Sequence, residues 1–370
     1  MIELFDKLKP QIIYSPSPFD FNFEHKLAFE IVEMSSKSYY SSYIEKINKI
    51  LITGANGYIG NCLYHFLRGK FEVIGIDKEM TFNNKIYKCD ILNTKKFDQI
   101  LVKEKPEVVV HLAAQSLVDE TINKQKYYRN NVIATNCLLQ SMKKNNIKKI
   151  IFSSTAAVYQ QSSKPLKENS KLKSLSTYAK TKLTCEKNIL KQKEIKSVIL
   201  RFFNVCSALK KPCIGELHNP ETHLIPTIVY KAIYNKRIYI YGNDFPTPDG
   251  TCIRDYIHIK DICSAIEKSI RFLLNKKKSK IFNIGNYKGL SNQEIVNYIN
   301  KNLKKKINLK YINRRKGDLA RLVCNSNKAR KLLSWVAKNS NLKTIIHDEI
   351  NWVKKMNKLG LERRFKNYLK

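Results

Sequence analysis

Short apolar runs alternate with amphipathic stretches along residues 49–204. Five of these runs have the length of buried strands, and their sequences are KILIT, EVIGID, EVVVHLAA, KIIFSST and SVILRFFN. Helical patterns lie between them, most clearly at residues 122–144 and 177–192. Strands that alternate with helices are typical of βαβ units on a parallel sheet. The pattern therefore predicts an α/β fold with a Rossmann-type doubly wound parallel sheet.

The pattern is weaker on both sides of this segment. Residues 1–47 show no clear period and contain two Ser-Pro pairs, so we predict an N-terminal extension of unknown role. After Asn204 the elements become shorter, and proline and glycine are more frequent. We expect a Rossmann domain over residues 48–204. A smaller, mixed α/β substrate-binding region is expected over residues 205–370, interleaved with the first.

The composition is that of a globular protein, with 43% hydrophobic and 27% charged residues. The chain has no apolar run long enough to cross a bilayer, and its start lacks the pattern of a signal peptide. Nine cysteines occur singly without a CxxC pair, and the seven histidines show no HExxH spacing. We therefore expect free thiols in a cytoplasmic protein, with no metal site.

The formal net charge of +37 allows two interpretations. One is binding to nucleic acid or to a membrane surface. The other is a general enrichment of the surface in lysine, because lysine and arginine are spread along the whole chain in short runs. We favour the second interpretation and expect neither nucleic acid nor a membrane as a partner. A basic surface would still attract an anionic small molecule.

A glycine-rich turn follows the first predicted strand and opens a predicted helix. Gly54, Gly57 and Gly60 form a GxxGxxG pattern in that context. Glycines there let the backbone approach a pyrophosphate, and the helix start supplies free N–H groups. Asp77 ends the second strand, where a carboxylate binds ribose hydroxyls and repels a 2′-phosphate, so the predicted cofactor is NAD. Asp90 follows the third strand, either as an adenine contact or as a simple cap of the strand end.

A second signal is the YxxxK pattern of Tyr178 and Lys182 on a predicted helix. Positions i and i+4 share a helix face, and a nearby ammonium stabilises a phenolate, so the tyrosine could act as a base below its usual pKa. YxxxK alone is common on solvated helices. Here a strand ending in Thr155 precedes it, and side chains at the carboxyl end of a parallel strand face the ligand crevice. The three side chains suit hydride transfer at an alcohol carbon.

Seven longer strings of residues carry a resemblance to a known protein family. HLAAQSLVDETI, YYRNNV, IIFSSTAAVY, TYAKTKLTCE, LRFFNV, YGNDFPTPDGTCIRDYIHIKDI and RRKGDL follow one another in this order. Together they resemble the UDP-galactose 4-epimerases of the extended short-chain dehydrogenase family, over roughly residues 49–352. The resemblance implies a homodimer and an enzyme that inverts C4 of a UDP-hexose, with a UDP-sugar as its small-molecule partner and NAD as its cofactor.

The resemblance also implies the roles of individual residues. Thr155 would polarise the sugar hydroxyl, Tyr178 would be the base and Lys182 would support it. The NAD contacts implied by position are Tyr58, Ile59, Asp77, Asp90, Ile91, Leu112, Ala113, Ala114, Asn130, Lys182 and Phe203. The implied UDP-sugar contacts are Asn204, His223, Leu224, Arg254, Arg315, Asp318 and Leu322. His223 departs from the asparagine that the family usually places beside the uracil.

Three alternatives stay open from the residues. Another nucleotide-sugar enzyme of this fold, such as a uronate 4-epimerase, a 4,6-dehydratase or a decarboxylase, would share most of these motifs. A nucleotide-binding module that has lost its chemistry would share the fold, but it would not need an intact Thr155, Tyr178 and Lys182. From the sequence alone, Arg254 could pair with Asp255 or Asp261 instead of a diphosphate.

Overall fold

The computed structural model describes residues 48–79, 86–116, 123–218, 221–275, 278–303, 307–315 and 318–359. The N-terminal extension predicted over residues 1–47 lies outside the described residues. The predicted boundary between residues 204 and 205 stays a prediction.

A seven-stranded parallel sheet forms the centre of the protein. Its strands are β1 (Lys49–Thr53), β2 (Glu72–Asp77), β3 (Ile86–Lys88), β4 (Val108–His111), β5 (Lys149–Thr155), β6 (Lys196–Phe202) and β12 (Lys280–Ile284). Their spatial order is β12-β6-β5-β4-β1-β2-β3. The first six strands thus follow the order of a doubly wound dinucleotide-binding sheet, which confirms the predicted fold class.

Helices cover both faces of this sheet. They are α1 (Tyr58–Leu67), α2 (Thr94–Glu104), α3 (Lys124–Tyr127), α4 (Ala134–Lys144), α5 (Thr177–Leu190) and, later in the chain, α7 (Ile259–Leu274). Alternate residues of β1 face opposite cores: Ile50 and Ile52 pack with α1 and α7, whereas Leu51 packs with α2 and α4. Burial on both faces explains why the strands are continuous apolar runs in the sequence.

The stretch predicted as one helix at residues 122–144 is interrupted. A π-helix at Tyr128–Ile133 separates α3 from α4, and a 3-10 turn at Ala156–Val158 follows β5. A π-turn inserts an extra residue into the helical repeat, which the regular spacing of apolar residues does not reveal. Its residues begin near the carboxyl edge of the sheet, where the cavity described below opens.

The second half of the chain builds smaller sheets and a separate core. The remaining elements are β7 (Asn204–Cys206), β8 (Leu209–Lys210), β9 (Cys213–Ile214), α6 (Leu224–Ile233), β10 (Ile238–Tyr241), β11 (Ile253–His258), β13 (Gly289–Ser291), α8 (Asn292–Leu303), β14 (Leu309–Ile312), β15 (Arg321–Leu322), α9 (Asn327–Leu333) and α10 (Leu342–Lys358). Strand β11 pairs with β7, β13 and β15, and β10 pairs with β14. Apolar side chains of α6, α8 and α10 form the second core.

Candidate active site

A single cavity of about 1770 Å³ follows the carboxyl edge of the parallel sheet and extends toward α6 and β15. The structure brings every site residue predicted from the sequence to its wall. These residues are Gly54, Gly57, Tyr58, Ile59, Gly60, Asp77, Asp90, Ile91, Leu112, Ala113, Ala114, Asn130, Thr155, Tyr178, Lys182, Phe203, Asn204, His223, Leu224, Arg254, Arg315, Asp318 and Leu322. Their individual roles remain predictions, but they share one space large enough for two nucleotide-sized ligands.

Two glycines of the turn at one end of the cavity, Gly54 and Gly60, have no room for a side chain. Gly54 has a φ of +71°, and a Cβ there would lie 2.8 Å from the backbone nitrogen of Ala113. A Cβ on Gly60 would lie 2.0 Å from the carbonyl oxygen of Gly54. Helix α1 starts at Tyr58, and no side chain caps its first turn. The turn therefore leaves backbone N–H groups and the positive helix end facing the cavity, as a pyrophosphate requires.

Two carboxylates stand at the ends of β2 and β3. The oxygens of Asp77 accept hydrogen bonds from the backbone nitrogens of Asn56 at 2.9 Å and Glu79 at 3.0 Å. These bonds hold the Asp77 carboxylate beside the glycine turn, where the sequence predicts a ribose contact. Asp90 accepts a hydrogen bond from the backbone nitrogen of Leu92 at 2.9 Å, so it caps the strand end as well as lining the cavity.

The candidate catalytic hydroxyls meet where β5 ends beside α5. Thr155 is the last residue of β5, and its hydroxyl oxygen accepts a hydrogen bond from the backbone nitrogen of Ala157 at 3.2 Å. Ser176 caps α5 by accepting from the backbone nitrogen of Ala179, which fixes the first turn that carries Tyr178. The Thr155 hydroxyl lies close enough to the Tyr178 phenol for a hydrogen-bond interaction that lowers the pKa of the phenol. Because Thr155 already accepts a bond from Ala157, its own proton can point to the phenol or to a ligand hydroxyl.

In the chain alone, the surroundings of Tyr178 do not give the lowered pKa that the sequence predicts, and its role as the base stays a prediction. Burial raises the pKa of this phenol to about 12, and its interaction with Thr155 lowers it only in part. Lys182 does not offset the burial. Its ammonium donates to the carbonyl oxygen of Ser153 at 2.7 Å, and burial lowers its own pKa to about 8. The chain alone therefore holds Tyr178 as a neutral phenol, and the YxxxK pairing by itself does not produce a phenolate.

A buried ion pair, which the sequence analysis missed, ties α5 to the sheet. Arg201 of β6 donates to both carboxylate oxygens of Glu186 on α5, at 2.6 and 2.9 Å, and Ser154 donates to the same carboxylate. Both charged side chains are almost fully buried. Removing one partner of such a pair typically costs about 3–5 kcal/mol. Glu186 lies one turn after Lys182, so the pair fixes the helix that carries Tyr178.

Asn131 performs a similar task at the π-helix. Its side-chain oxygen accepts from the backbone nitrogen of Gln115 at 2.7 Å, and its amide donates to the hydroxyl of Thr181 at 2.9 Å. The π-turn thus directs Asn130 to the cavity wall while Asn131 binds α5. No regular sequence period could have predicted that neighbouring asparagines serve these two purposes.

Arginines line the other end of the cavity. Arg254 donates to the carbonyl oxygen of Leu319 at 2.6 Å, and its guanidinium lies 3.7 Å from the Asp318 carboxylate. It does not pair with Asp255, whose oxygens accept from backbone nitrogens, and this settles one alternative left open by the sequence. Arg315 stacks on the ring of Tyr241 at 3.8 Å. Two guanidinium groups on one wall suit a diphosphate, because each can bind two oxygens.

Three further side chains gather around the predicted site residue His223 on the loop before α6. Glu216, His218, Glu221 and His223 place one potential ligand atom each within 4.8 Å of all the others, and all four line the cavity. Linear spacing did not reveal this cluster, and the expectation of no metal site stays a prediction. The E-x-H-x-x-E-x-H spacing falls on an irregular loop, so it matches no standard ligand motif and only the fold reveals it.

Among the described helices, none combines the length and apolar character that a bilayer span needs.

The sheet order, the glycine turn and the Thr155, Tyr178 and Lys182 constellation together define a dinucleotide-dependent enzyme of the short-chain dehydrogenase type. The chain belongs to the NAD dependent epimerase/dehydratase family, whose model matches residues 50–285.

Known relatives share nearly the whole described chain. A UDP-glucose 4-epimerase of Halalkalibacterium halodurans is 37% identical over 322 residues, which are 82% of this chain and 95% of the relative. The crystal structure of UDP-glucose 4-epimerase from Brucella ovis in complex with NAD is 32% identical, with a TM-score of 0.78 over 82% of this chain and 98% of that one. The enzyme from Bifidobacterium longum in complex with NAD+ and UDP is 29% identical, with a TM-score of 0.76 over 83% and 98% of the two chains.

Proposed function

We propose that this protein is an NAD-dependent epimerase that inverts C4 of a UDP-hexose and interconverts UDP-glucose and UDP-galactose. One observation carries the proposal: a single cavity joins the glycine turn, the hydroxyl pair of Thr155 and Tyr178, and the wall with Arg254 and Arg315. A cofactor at one end and a diphosphate at the other would place a sugar hydroxyl beside the phenol. The names of the relatives support the same reaction.

The cofactor end favours NAD. The cradle of Gly54 and Gly60 fits a pyrophosphate, since neither position has room for a side chain. The fixed carboxylate of Asp77 suits free ribose hydroxyls and would repel a 2′-phosphate. When bound, NAD supplies the acceptor and donor of a hydride at the sugar carbon.

In the proposed reaction, Tyr178 exchanges a proton with the oxygen on C4 of the sugar. For this step Tyr178 has to be a phenolate before the sugar reacts, a state that the positive charges of Lys182 and of bound oxidised NAD would favour. The phenolate oxygen then takes the hydroxyl proton as C4 loses a hydride, and it returns the proton when the hydride comes back to the opposite face. Thr155 donates a hydrogen bond to the same sugar oxygen and fixes its direction. Lys182, held by the Ser153 carbonyl, positions its positive charge at the base of the site. The net change in oxidation state is zero, so the cofactor stays bound through many cycles.

The 4-keto sugar must turn between the two half-reactions, so the nucleotide has to be held while the hexose is free. We assign the diphosphate to Arg254 and Arg315, and the uridine end to Asn204, His223, Leu224 and Asp318. The guanidinium groups supply directional bonds that do not depend on which face the sugar presents. Leu322 lies beside the sugar and limits the space around it.

The chain lacks the groups for dehydration, which argues against the 4,6-dehydratase alternative. Ala156 and Ala157 follow Thr155 directly, and their methyl groups cannot transfer the protons that elimination across C5 and C6 requires. The decisive experiment incubates the purified protein separately with UDP-galactose, UDP-N-acetylgalactosamine and UDP-galacturonate, and separates the products. Formation of UDP-glucose is expected. A 4-keto-6-deoxy product, or turnover of the uronate alone, would replace the proposal by one of the alternatives.

We also propose that the protein is a homodimer that pairs through α4 and α5. Three large apolar side chains near these helices remain solvent-exposed in the single chain: Tyr128 at 53%, Ile133 at 47% and Leu190 at 46%. Apolar exposure of this kind is typical of a surface that a second subunit covers. Sedimentation should give twice the mass of one chain, and Ile133→Glu should reduce it to the mass of a single chain. A wild-type protein that sediments as a monomer would remove this part of the proposal.

A further inference from the structure

Two glutamates and two histidines surround a common point on the loop before α6. The Nδ1 atoms of both histidines lie near Oε1 of Glu216, at 2.7 Å for His218 and 2.8 Å for His223. His223 Nδ1 is also 3.0 Å from Glu221 Oε1, and His218 Nδ1 is 3.9 Å from Glu221 Oε2. The two imidazoles therefore bridge two carboxylates, with their ring centres 5.5 Å apart.

We propose that these four residues bind a divalent transition-metal ion of the zinc type. In a tetrahedral zinc site with ligands at about 2.0–2.2 Å, neighbouring ligand atoms are about 3.4 Å apart. One ligand atom from each residue lies within 4.8 Å of all the others, so shifts on the order of 1 Å would form the site. Imidazole and carboxylate together favour zinc over magnesium and calcium, which prefer an all-oxygen shell.

The burial of the carboxylates is an independent sign of a cation. The side chains of Glu216 and Glu221 are 2% and 0% exposed, and each has an Oε2 atom without a hydrogen-bond partner among the described residues. Buried carboxylate oxygens without partners are costly, and an ion coordinated between them would satisfy them. A third carboxylate, Glu349, is fully buried nearby, and burial together with the charges of Glu216 and Glu221 raises its pKa well above its usual range.

Either protons or a metal ion can supply positive charge to this cluster. Burial lowers the pKa of His223, but the adjacent Glu216 and Glu221 carboxylates outweigh it and raise that pKa well above its ordinary value. The same carboxylates raise the pKa of His218 against burial. The two buried carboxylates attract positive charge, and a divalent ion bound to neutral imidazoles would supply it.

An ion at this point would order one wall of the cavity. His223 occupies the N-cap position of α6 and Leu224 is the first residue of that helix, so the ligands lie directly beside the proposed uridine contacts. This consequence rests on the proposed function, whereas the metal site itself does not. Pre-ordering the loop removes part of the entropy cost of nucleotide binding, and we expect the metal to tighten UDP binding by about tenfold.

The test measures metal content directly. The full chain, made without a polyhistidine tag, is stripped with a chelator, reloaded with Zn²⁺ and desalted, and its zinc is quantified by mass spectrometry. About one equivalent per chain is expected for the wild type and for His65→Asn, a histidine away from the cavity. His218→Asn should lose most of the zinc. His218→Cys restores a zinc ligand, should keep the metal, and shows that the loss is not a failure to fold.

Four outcomes would overturn parts of the inference. A wild type that retains no zinc, or His218→Asn with a full equivalent, would refute the site. If His218→Cys also lost its zinc, the His218 side chain would be needed to hold the loop in place and would not be a ligand of the metal. Calorimetry with UDP on stripped and reloaded protein tests the positioning role, and equal affinities would refute it. Zinc content does not depend on turnover, so an active epimerase without zinc contradicts this inference alone, and an inactive zinc protein contradicts the proposed function alone.

Discussion

Replacing Tyr178 by phenylalanine tests the chemistry most directly. Burial raises the pKa of the phenol to about 12, so in the chain alone at pH 8 only about one molecule in 10⁴ carries a phenolate. Four pKa units correspond to about 5 kcal/mol. The phenol must therefore lose its proton before the sugar reacts, with help from a nearby positive charge, because a neutral phenol cannot accept the hydroxyl proton. The hydroxyl is indispensable for this step, and we expect turnover to fall by about 10²–10⁴ in Tyr178→Phe.

The same substitution should leave the fold intact. The phenylalanine ring fills the same space, and the cost is the loss of one polar interaction near Thr155, about 1 kcal/mol of unfolding free energy. Tyr127→Phe is the matched control, because Tyr127 is also buried, at 2% exposure, but lies outside the cavity wall. Turnover of UDP-galactose is measured by product separation, and bound cofactor by its release on denaturation. Near wild-type turnover in Tyr178→Phe, or equal losses in both variants, would refute the assigned proton carrier.

Three further predictions concern the cofactor, the sugar and acid stability. Cofactor released from purified protein should be NAD, because the fixed Asp77 carboxylate repels a 2′-phosphate; mass spectrometry that finds mainly NADP contradicts this role. The protein should also act on UDP-N-acetylglucosamine, and Leu322→Tyr should lower kcat/KM for it relative to UDP-glucose by roughly 10–200-fold; an unchanged ratio means that Leu322 does not limit the pocket. Burial lowers the pKa of His111 to about 3, so the unfolded chain binds the extra proton and stability is lost as pH falls from 6.5 toward 3. The unfolding free energy, measured with urea, should fall less steeply with decreasing pH in His111→Asn than in the wild type, by about 1 kcal/mol per pH unit. Equal slopes of unfolding free energy against pH in the two proteins would contradict the prediction.

The sequence predicted the part of the site that regular elements carry. Thr155 could be placed because it ends an apolar strand, and Tyr178 and Lys182 because positions i and i+4 share a helix face. What it could not predict was the electrostatic result. The direction of the Tyr178 pKa depends mainly on burial, which a local pattern does not show.

The sequence also could not predict contacts between residues that lie far apart in the chain. The Arg201–Glu186 pair joins a strand to a helix through the fold, and nothing in the spacing of two charged residues indicates that both are buried. The Glu216–His223 cluster lies on an irregular loop, where side-chain directions follow no period. The strand Lys280–Ile284 joins the sheet beside β6 although most of the substrate region separates them in sequence. Periodicity predicts that such a segment is a strand, but not which edge it pairs with.

The position of the strand Lys280–Ile284 late in the chain affects how the protein folds during synthesis. The edge of β6 stays open until residue 284 has been synthesised, roughly 80 residues after β6 itself ends. At about 5–20 residues per second, the ribosome leaves this row of unpaired backbone groups exposed for about 4–16 seconds. Unpaired strand edges are templates for aggregation, so the nascent chain is prone to aggregate during this interval. A chaperone that covers the edge, or a low concentration of the chain, would reduce this aggregation. Chains that terminate before residue 280 cannot close this edge, and they should accumulate as insoluble protein even though every glycine and hydroxyl of the nucleotide turn is present.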